Sequence, residues 1–225
     1  MEKMDAGKLF DNRVEDYDSF VNSTVIGYEN VLDLIKQLTK IIVKTDSPKV
    51  LDLGAGTGNS SMAVLHACPK ASIIGYDLSK KMVEKTNERF SKFDYKGVCD
   101  NVLNIDFDNE FDLIVSSIVL HHLNDKEKQE VYKKIFKALK GKGVFILGDL
   151  MLAEDNSINS FLKEQWENHI VYKRGEEYKN KIFSLEDKHH QYASLNNNLK
   201  FLKTTGFKTD VIYRKLNTAV ILCYK

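Results

Sequence analysis

Three glycines and two carboxylates form the part of this sequence whose residue types and spacing best suit chemistry. Gly54, Gly56 and Gly58 follow a short apolar run and precede residues 59–67, which read as a helix. Glycines at this spacing let the backbone turn sharply and approach a ligand closely. The turn would also bring free N–H groups and the positive end of the helix dipole to one corner. We therefore predict a nucleotide-type site here.

The two acids indicate which nucleotide-type ligand this is. A dinucleotide fingerprint is Gly-x-Gly-x-x-Gly, whereas this turn reads Gly-x-Gly-x-Gly and Asp52 stands two positions before it. A carboxylate there repels a pyrophosphate but attracts the ammonium group of an amino acid. Asp77 ends the next apolar run, where an acid binds a ribose diol. These features predict S-adenosylmethionine, and the alternative is a tight turn with no ligand.

Four motifs in this chain resemble those of the class I S-adenosylmethionine-dependent methyltransferases. They are residues 50–58, residues 77–82, the pair Cys99-Asp100, and residues 111–123 with their Leu-His-His-Leu ending. The resemblance covers nearly the whole chain and implies methyl transfer to a small-molecule acceptor. It also implies an α/β, Rossmann-like, mostly parallel sheet of seven strands in the order 3-2-1-4-5-7-6, with the last strand antiparallel.

Position at the carboxyl ends of the strands predicts most of the cofactor contacts. Gly54 and Gly56 would let the backbone approach the methionine part, and Ser117 at the end of the fourth strand would meet it. Asp52 would attract the ammonium group, directly or through a water molecule. We expect the ribose and adenine to be held by Asp77, Leu78, Met82, Asp100 and Asn101. The family resemblance adds Tyr28 and Ala55 to this cofactor set.

Catalysis of methyl transfer needs little beyond alignment and exclusion of water, so a catalytic residue is not obligatory. His121 and Tyr17 are the candidates for a base, and for each a structural role is the alternative. His189 and His190 lack a suitably spaced third ligand, so we predict no metal site.

The alternation of apolar runs and helical stripes predicts one domain over residues 1–225. Residues 1–47 should form an N-terminal helical cap, and residues 151–193 an insertion or lid after the fifth strand, largely a helix followed by a polar stretch. Strands are predicted at 48–53, 72–77, 95–99, 111–119, 143–150, 207–215 and 217–224. Helices are predicted at 28–43, 59–67, 79–91, 125–139 and 195–205.

Composition and charge favour some function classes over others. The net charge of +1 gives no indication of nucleic-acid or membrane binding, and no apolar run approaches the length of a membrane span. Three cysteines without metal or disulfide spacing, and no apolar signal core, favour a cytoplasmic protein. The insertion is also where we expect any homodimer contact.

Two alternatives to a methyltransferase stay open. Residues 26–29, 202–207 and 213–220 are similar to carboxy-S-adenosylmethionine synthase, an enzyme of tRNA wobble-uridine modification. The resemblance places in residues 180–185 an arginine that holds the extra carboxylate of that cofactor, but this chain has Lys181 and no arginine there. Lysine lacks the bidentate fork of arginine. The other alternative is a cofactor-binding module without catalysis.

Overall fold

The computed structural model describes residues 10–186 and 191–225 of the chain. His189 and His190 therefore lie outside the described residues. The strands form one seven-stranded sheet. They are Lys49–Leu53 (β1), Ser72–Asp77 (β2), Tyr95–Cys99 (β3), Phe111–Ser117 (β4), Leu139–Leu150 (β5), Lys208–Lys215 (β6) and Thr218–Tyr224 (β7).

The helices alternate with the strands along the central part of the chain. They are Tyr17–Thr24 (α1), Tyr28–Ile42 (α2), Asn59–Ala67 (α3), Lys80–Arg89 (α4), Asp125–Ala138 (α5), Asn156–Arg174 (α6), Glu176–Glu186 (α7) and Leu195–Thr205 (α8). Short 3₁₀ turns lie at Val102–Asn104 and Leu120–His122. Asn124 and Glu127 form a capping box at the start of α5.

The strand order is β3-β2-β1-β4-β5-β7-β6, which confirms the predicted sheet. Strands β1 to β5 pair in parallel because a crossover carries the chain back between successive strands. The last strand, β7, runs antiparallel to both β5 and β6. Only Leu216 and Asn217 separate β6 from β7, and so short a connection permits only a hairpin.

The two faces of the sheet carry separate hydrophobic clusters because successive strand residues point in opposite directions. Val50 packs with α2 and α3 on one face, whereas its neighbour Leu51 packs with α5 and α8 on the other. Both side chains are fully buried. The carboxyl ends of β1, β2 and β4 consequently meet at one edge of a sheet covered on both sides, where ligands of open parallel sheets bind.

Three boundary predictions were wrong. Residues 176–186, which the sequence marks as a polar stretch, form helix α7, packed through Phe183 against Trp166 of α6. Strand β5 begins at Leu139, directly after α5, and Gly141 and Gly143 lie inside it. Strand β4 ends at Ser117 because Ile118 adopts a positive φ of 59°.

The N-terminal helices and the insertion pack on each other. Trp166 Nε1 of α6 donates to the Thr24 carbonyl at the end of α1 at 2.5 Å. Arg174 Nε, on the same helix, donates to Ser23 Oγ at 3.1 Å. These two contacts join segments separated by more than a hundred residues of sequence, and together the segments cover the carboxyl edge of the sheet.

Candidate active site

A cavity of about 130 Å³ lies at the carboxyl ends of β1, β2 and β4. The side chains and backbone around it come from the N-terminal segment, the glycine turn, the end of β2, the loop after β3 and the loop after β4. They are Phe10, Tyr17, Gly54, Gly56, Asp77, Leu78, Met82, Asn101, Val102, Ile118, Val119, His122 and Leu123.

The glycine turn has the geometry that its sequence predicts. Gly54 and Gly56 have φ values of +74° and +54°, which disfavour any residue with a Cβ. The N–H groups of Gly54 and Ala55 both donate to the Tyr76 carbonyl of β2, at 2.8 and 2.9 Å. A Cβ at Gly56 would lie 3.5 Å from the ring of Tyr17, so this backbone faces the cavity.

Asp77 is fixed at the end of β2 by two backbone donors. Its Oδ2 accepts from Gly56 N and its Oδ1 from Ser79 N, each at 2.8 Å. Burial raises the pKa of this carboxyl above its ordinary value, and the two backbone hydrogen bonds oppose that rise. Each oxygen keeps a further lone pair for a ligand hydroxyl, because a carboxylate offers about four acceptor sites.

The residues predicted to surround adenine divide into two sets. Leu78, Met82 and Asn101 line the cavity, and Met82 is almost completely buried. Asp100 does not line it, and its Oδ1 instead accepts from Asn101 N at 2.7 Å and from Asn104 Nδ2 at 2.7 Å. The backbone N–H of Asn101 therefore already has an acceptor within its own loop.

Asp52 lies behind the glycine turn and does not line the cavity. Its side chain is fully buried under the start of α3, where Oδ2 accepts from the hydroxyls of Ser60 and Ser61, both at 2.6 Å. Burial raises its pKa to about 6, and the two serine hydroxyls oppose that rise. This placement argues against direct contact with a cofactor ammonium group and makes Asp52 an anchor for the first helix of the site.

The two histidines after β4 have different environments. The ring Nδ1 of His121 lies 2.6 Å from Asp149 Oδ1, in a buried pair. The backbone N–H of His121 donates to Asp149 Oδ2, the other oxygen of that carboxylate, at 2.9 Å. His122 lines the cavity, with its ring 5.8 Å from that of Phe10. We predicted His121 as a candidate base, with a structural role as the alternative. Its buried contact with Asp149 favours the structural role.

The two predicted tyrosines also differ. Tyr17 lines the cavity, and burial raises the pKa of its phenol, so the hydroxyl stays protonated at neutral pH. Tyr28 is buried in a neighbouring hydrophobic cluster and does not line the cavity. Its hydroxyl accepts from Asn59 Nδ2 at 3.4 Å. Tyr17 is thus placed to contact a ligand, as a donor more readily than as a base.

The N-terminal segment covers the cavity through two carboxylates. Asp11 Oδ1 accepts from Ser79 Oγ at 2.5 Å, at the start of α4. Asp18 Oδ1 accepts from Thr57 Oγ1 at 2.6 Å and from Asn59 Nδ2 at 2.8 Å, beside the glycine turn. Ligand pockets usually measure about 300–1,000 Å³, so the cavity under this covering segment, at about 130 Å³, is small for a nucleoside with an amino-acid tail.

Two predicted residues lie behind the cavity lining, and three lining residues were not predicted. Ser117 and Ala55 are buried behind the lining, and Ser117 Oγ has no hydrogen-bond partner among the described residues. Phe10, Val102 and Val119 line the cavity but were not predicted. Apolar residues in loops carry no chemical signature in a sequence, which is why the motifs did not indicate them.

Lys181 lies away from this cavity. It borders a separate hollow together with Asn12, Arg13, Asp16 and Tyr178. Neither lysine nor arginine occurs among the described residues that line the cofactor cavity.

In residues 10–186 and 191–225, no group of three or more His, Cys, Asp or Glu side chains is arranged to hold a metal ion. The helices of these same ranges include none with the length and apolar character needed to cross a membrane.

Comparison with known proteins adds independent information. Residues 50–143 match a family model described as a methyltransferase domain. An uncharacterized methyltransferase of Oceanobacillus iheyensis is 30% identical over 69% of this chain and 74% of its own length. The carboxy-S-adenosyl-L-methionine synthase of Nautilia profundicola is 26% identical over 96% of this chain and 94% of its own length.

Among solved structures, human N-acetylserotonin methyltransferase in complex with S-adenosylmethionine superposes with a TM-score of 0.64. It shares 17% identity with this chain, and the match covers 96% of this chain and 56% of the human protein. At this identity the similarity shows the fold alone.

Proposed function

The chain belongs to the class I S-adenosylmethionine-dependent methyltransferases, and on this premise we propose that it transfers a methyl group from S-adenosylmethionine to a small-molecule acceptor. The observation that carries the proposal is the position of Asp77. Its carboxylate is held by the N–H of Gly56 and faces the same cavity as the glycine turn. A carboxylate at the end of the second strand suits a ribose diol, and a lining whose described residues include no lysine or arginine suits a ligand without phosphate.

The residues around the cavity fit this cofactor chemically. When bound, S-adenosylmethionine supplies a methyl group activated by a sulfonium, and the electron pair of the broken S–C bond stays on sulfur. Asp77 would accept the ribose hydroxyls, and Leu78, Met82 and Val102 would exclude water from the base. Tyr17 and His122 border the cavity beside the glycine turn and the loop after β4, where they would exclude water from the reacting groups.

The test is the affinity for S-adenosylmethionine measured by calorimetric titration. Asp77→Asn should weaken binding roughly tenfold to a hundredfold, since a hydrogen bond to a charged group contributes about 1.5–3 kcal/mol. Asp106→Asn is the matched control, because Asp106 pairs with Lys137 on the surface. Equal affinity in the wild type and Asp77→Asn would refute the ribose assignment.

The second candidate is an enzyme similar to carboxy-S-adenosylmethionine synthase. The similarity to the Nautilia profundicola synthase over almost the whole chain favours it. Against it, the described lining of the cofactor cavity contains no cationic side chain for an extra carboxylate. Competition between the two cofactors decides: preference for the carboxylated form would establish the synthase. Because Lys181 lies away from the cavity, Lys181→Ala should leave the preference unchanged.

A further inference from the structure

A second cavity, of about 530 Å³, lies at the carboxyl end of β5 beneath helix α6. Aliphatic residues after β5 form its floor, and aromatic and polar side chains of the insertion and the last hairpin form its walls. The residues that matter here are Leu150, Lys163, Trp166, Phe183, Tyr192 and Asn217. Its volume falls in the range of sites for small organic molecules, roughly 300–1,000 Å³.

This second cavity adjoins the cofactor cavity. Strands β4 and β5 are neighbours, and Ile118 N donates to the Gly148 carbonyl at 2.8 Å. Ile118 lines the first cavity and Leu150 the second, and both belong to one hydrophobic cluster. Tyr17 and Tyr192 pack against that same cluster, so the two cavities border one shared group of side chains.

The walls of the second cavity suit a flat ring. Trp166 is 9% exposed, and its ring centroid lies 5.0 Å from that of Phe183 at an interplanar angle of 60°. The ring of Tyr192 stacks on His121 at 5.5 Å and 14°, and Asp149 fixes that histidine. Aromatic surfaces held in this way favour an aromatic ligand, which packs edge to face or offset.

The polar groups of the cavity indicate which substituents the ring carries. Lys163 is the one charged side chain among the described lining residues, with its ammonium 5.6 Å from the centroid of Phe183. Asn217 Oδ1 is buried and has no hydrogen-bond partner in the part of the chain that the structure describes. An exposed cation at the mouth attracts an anion, and an unpaired amide oxygen inside requires a donor.

We propose that this cavity is the acceptor site and that it binds an aromatic ring carrying one carboxylate and one hydrogen-bond donor. The inference rests on the proposed function, which requires an acceptor beside the cofactor. The carboxylate would lie towards Lys163, the ring against Trp166 and Phe183, and the donor against Asn217 Oδ1.

Trp166 makes the proposal directly measurable because it is the only tryptophan in the chain. Its fluorescence is recorded during titration with 4-hydroxybenzoate, and with 4-hydroxybenzylamine as the probe of opposite charge. We expect the benzoate to change the fluorescence saturably and to bind at least tenfold more tightly than the amine. Lys163→Gln should lower the affinity for the benzoate about fivefold to tenfold, and Asn217→Leu should lower it as well.

Lys208→Gln is the control, since Lys208 is exposed at the start of β6, at the opposite end of the hairpin from Asn217. No saturable change with the benzoate, or equal affinity for the two probes, would overturn the proposal. Equal effects of Lys163→Gln and Lys208→Gln would overturn it too. Calorimetry with S-adenosylmethionine on the same samples separates the two hypotheses. Cofactor binding without benzoate binding refutes only the acceptor site. Benzoate binding without cofactor binding refutes the proposed function and with it the acceptor role, and leaves the cavity as a binding site for an aromatic carboxylate.

Discussion

The two cavities at the carboxyl edge of the sheet are built in different ways. Most of the cofactor cavity comes from turns that follow β1, β2 and β4, and its carboxylate is Asp77. The second cavity combines the end of β5 with α6, α7 and the β6–β7 turn, and its charged side chain is Lys163. One cavity is thus assembled from strand ends of the sheet, and the other from an insertion laid over it.

This difference separates the requirements of the two proposed ligands. A cationic cofactor suits a cavity with a carboxylate, and an anionic acceptor suits a cavity with a cation. The glycine turn and Asp77 serve any cofactor of this kind, whereas the insertion can change its acceptor without altering the sheet. The four predictions that follow test how far the two regions are independent, in order of decreasing expected effect.

The glycine turn should tolerate substitution far less than the insertion. In Gly54→Ala the new Cβ would lie 2.3 Å from Val119 Cγ2, at a φ of +74°. We expect a loss of about 2–5 kcal/mol in the free energy of unfolding, from left-handed strain and overpacking together. Gly175→Ala, at a φ of +88° and a ψ of 169° with no atom within 4 Å of the new Cβ, should lose about 1–3 kcal/mol from backbone strain alone. Urea unfolding measures both, and equal losses would contradict the comparison.

Buried and exposed carboxyls should respond to pH with opposite signs. Burial raises the pKa of Asp52 to about 6, so between about pH 4 and 6 the folded protein binds more protons there than the unfolded chain. This group therefore lowers the free energy of unfolding as the pH rises through that range. Between pH 4 and 7, the free energy of unfolding of Asp52→Asn should rise by up to about 3 kcal/mol relative to that of the wild type.

The insertion supplies the matched control for this pH experiment. Asp155 caps α6, and its hydrogen bond from Ser157 lowers the pKa of its carboxyl. The ionised carboxyl of Asp155 stabilises the fold above its ordinary pKa, and this stabilisation is lost on further acidification. The free energy of unfolding of Asp155→Asn should therefore fall further below that of the wild type as the pH rises. A difference between wild type and Asp52→Asn that does not change with pH would show that Asp52 titrates normally.

The adjacent histidines should separate stability from activity. His121→Asn removes the ring contact to the buried carboxylate of Asp149, which should cost about 1.5–3 kcal/mol of unfolding free energy. His122→Asn should change stability by less than about 1 kcal/mol, because that ring lines a cavity, and should alter methyl transfer instead. Unfolding curves and turnover measured on both variants decide. The opposite pattern would make His121 the functional residue.

The smallest effect concerns the segment that covers the cofactor cavity. Asp18→Ala removes the acceptor for Thr57 and Asn59, with an expected cost of about 0.5–1.5 kcal/mol. Hydrogen exchange in Tyr17–Thr24 should accelerate about twofold to tenfold and that in α6 much less. Asp33→Ala, exposed on α2, is the control and should leave α1 unchanged. Equal acceleration of α1 and α6 by Asp18→Ala would show that the two cavities open together.

Sequence patterns predicted the sheet well because its signals are local. Helix α3, strands β2 and β3 and helix α8 have the predicted bounds, since apolar periodicity, glycines and capping residues act over a few positions. Helix α7 was missed because it packs through few apolar side chains, among them Ile182 and Phe183, amid charged residues.

For the site, the sequence by itself determined the glycine turn and Asp77, because the turn conformation and the end of a strand depend on neighbouring residues. It also determined the resemblance that predicts the cofactor. Only the tertiary structure decided which carboxylates face the cavity: alternation along β1 directs Asp52 towards α3, and the fold of its loop occupies Asp100. It alone brought Phe10 beside His122, and placed Lys163, Phe183 and Asn217 around one cavity, because contacts between distant segments follow from packing and have no local signature.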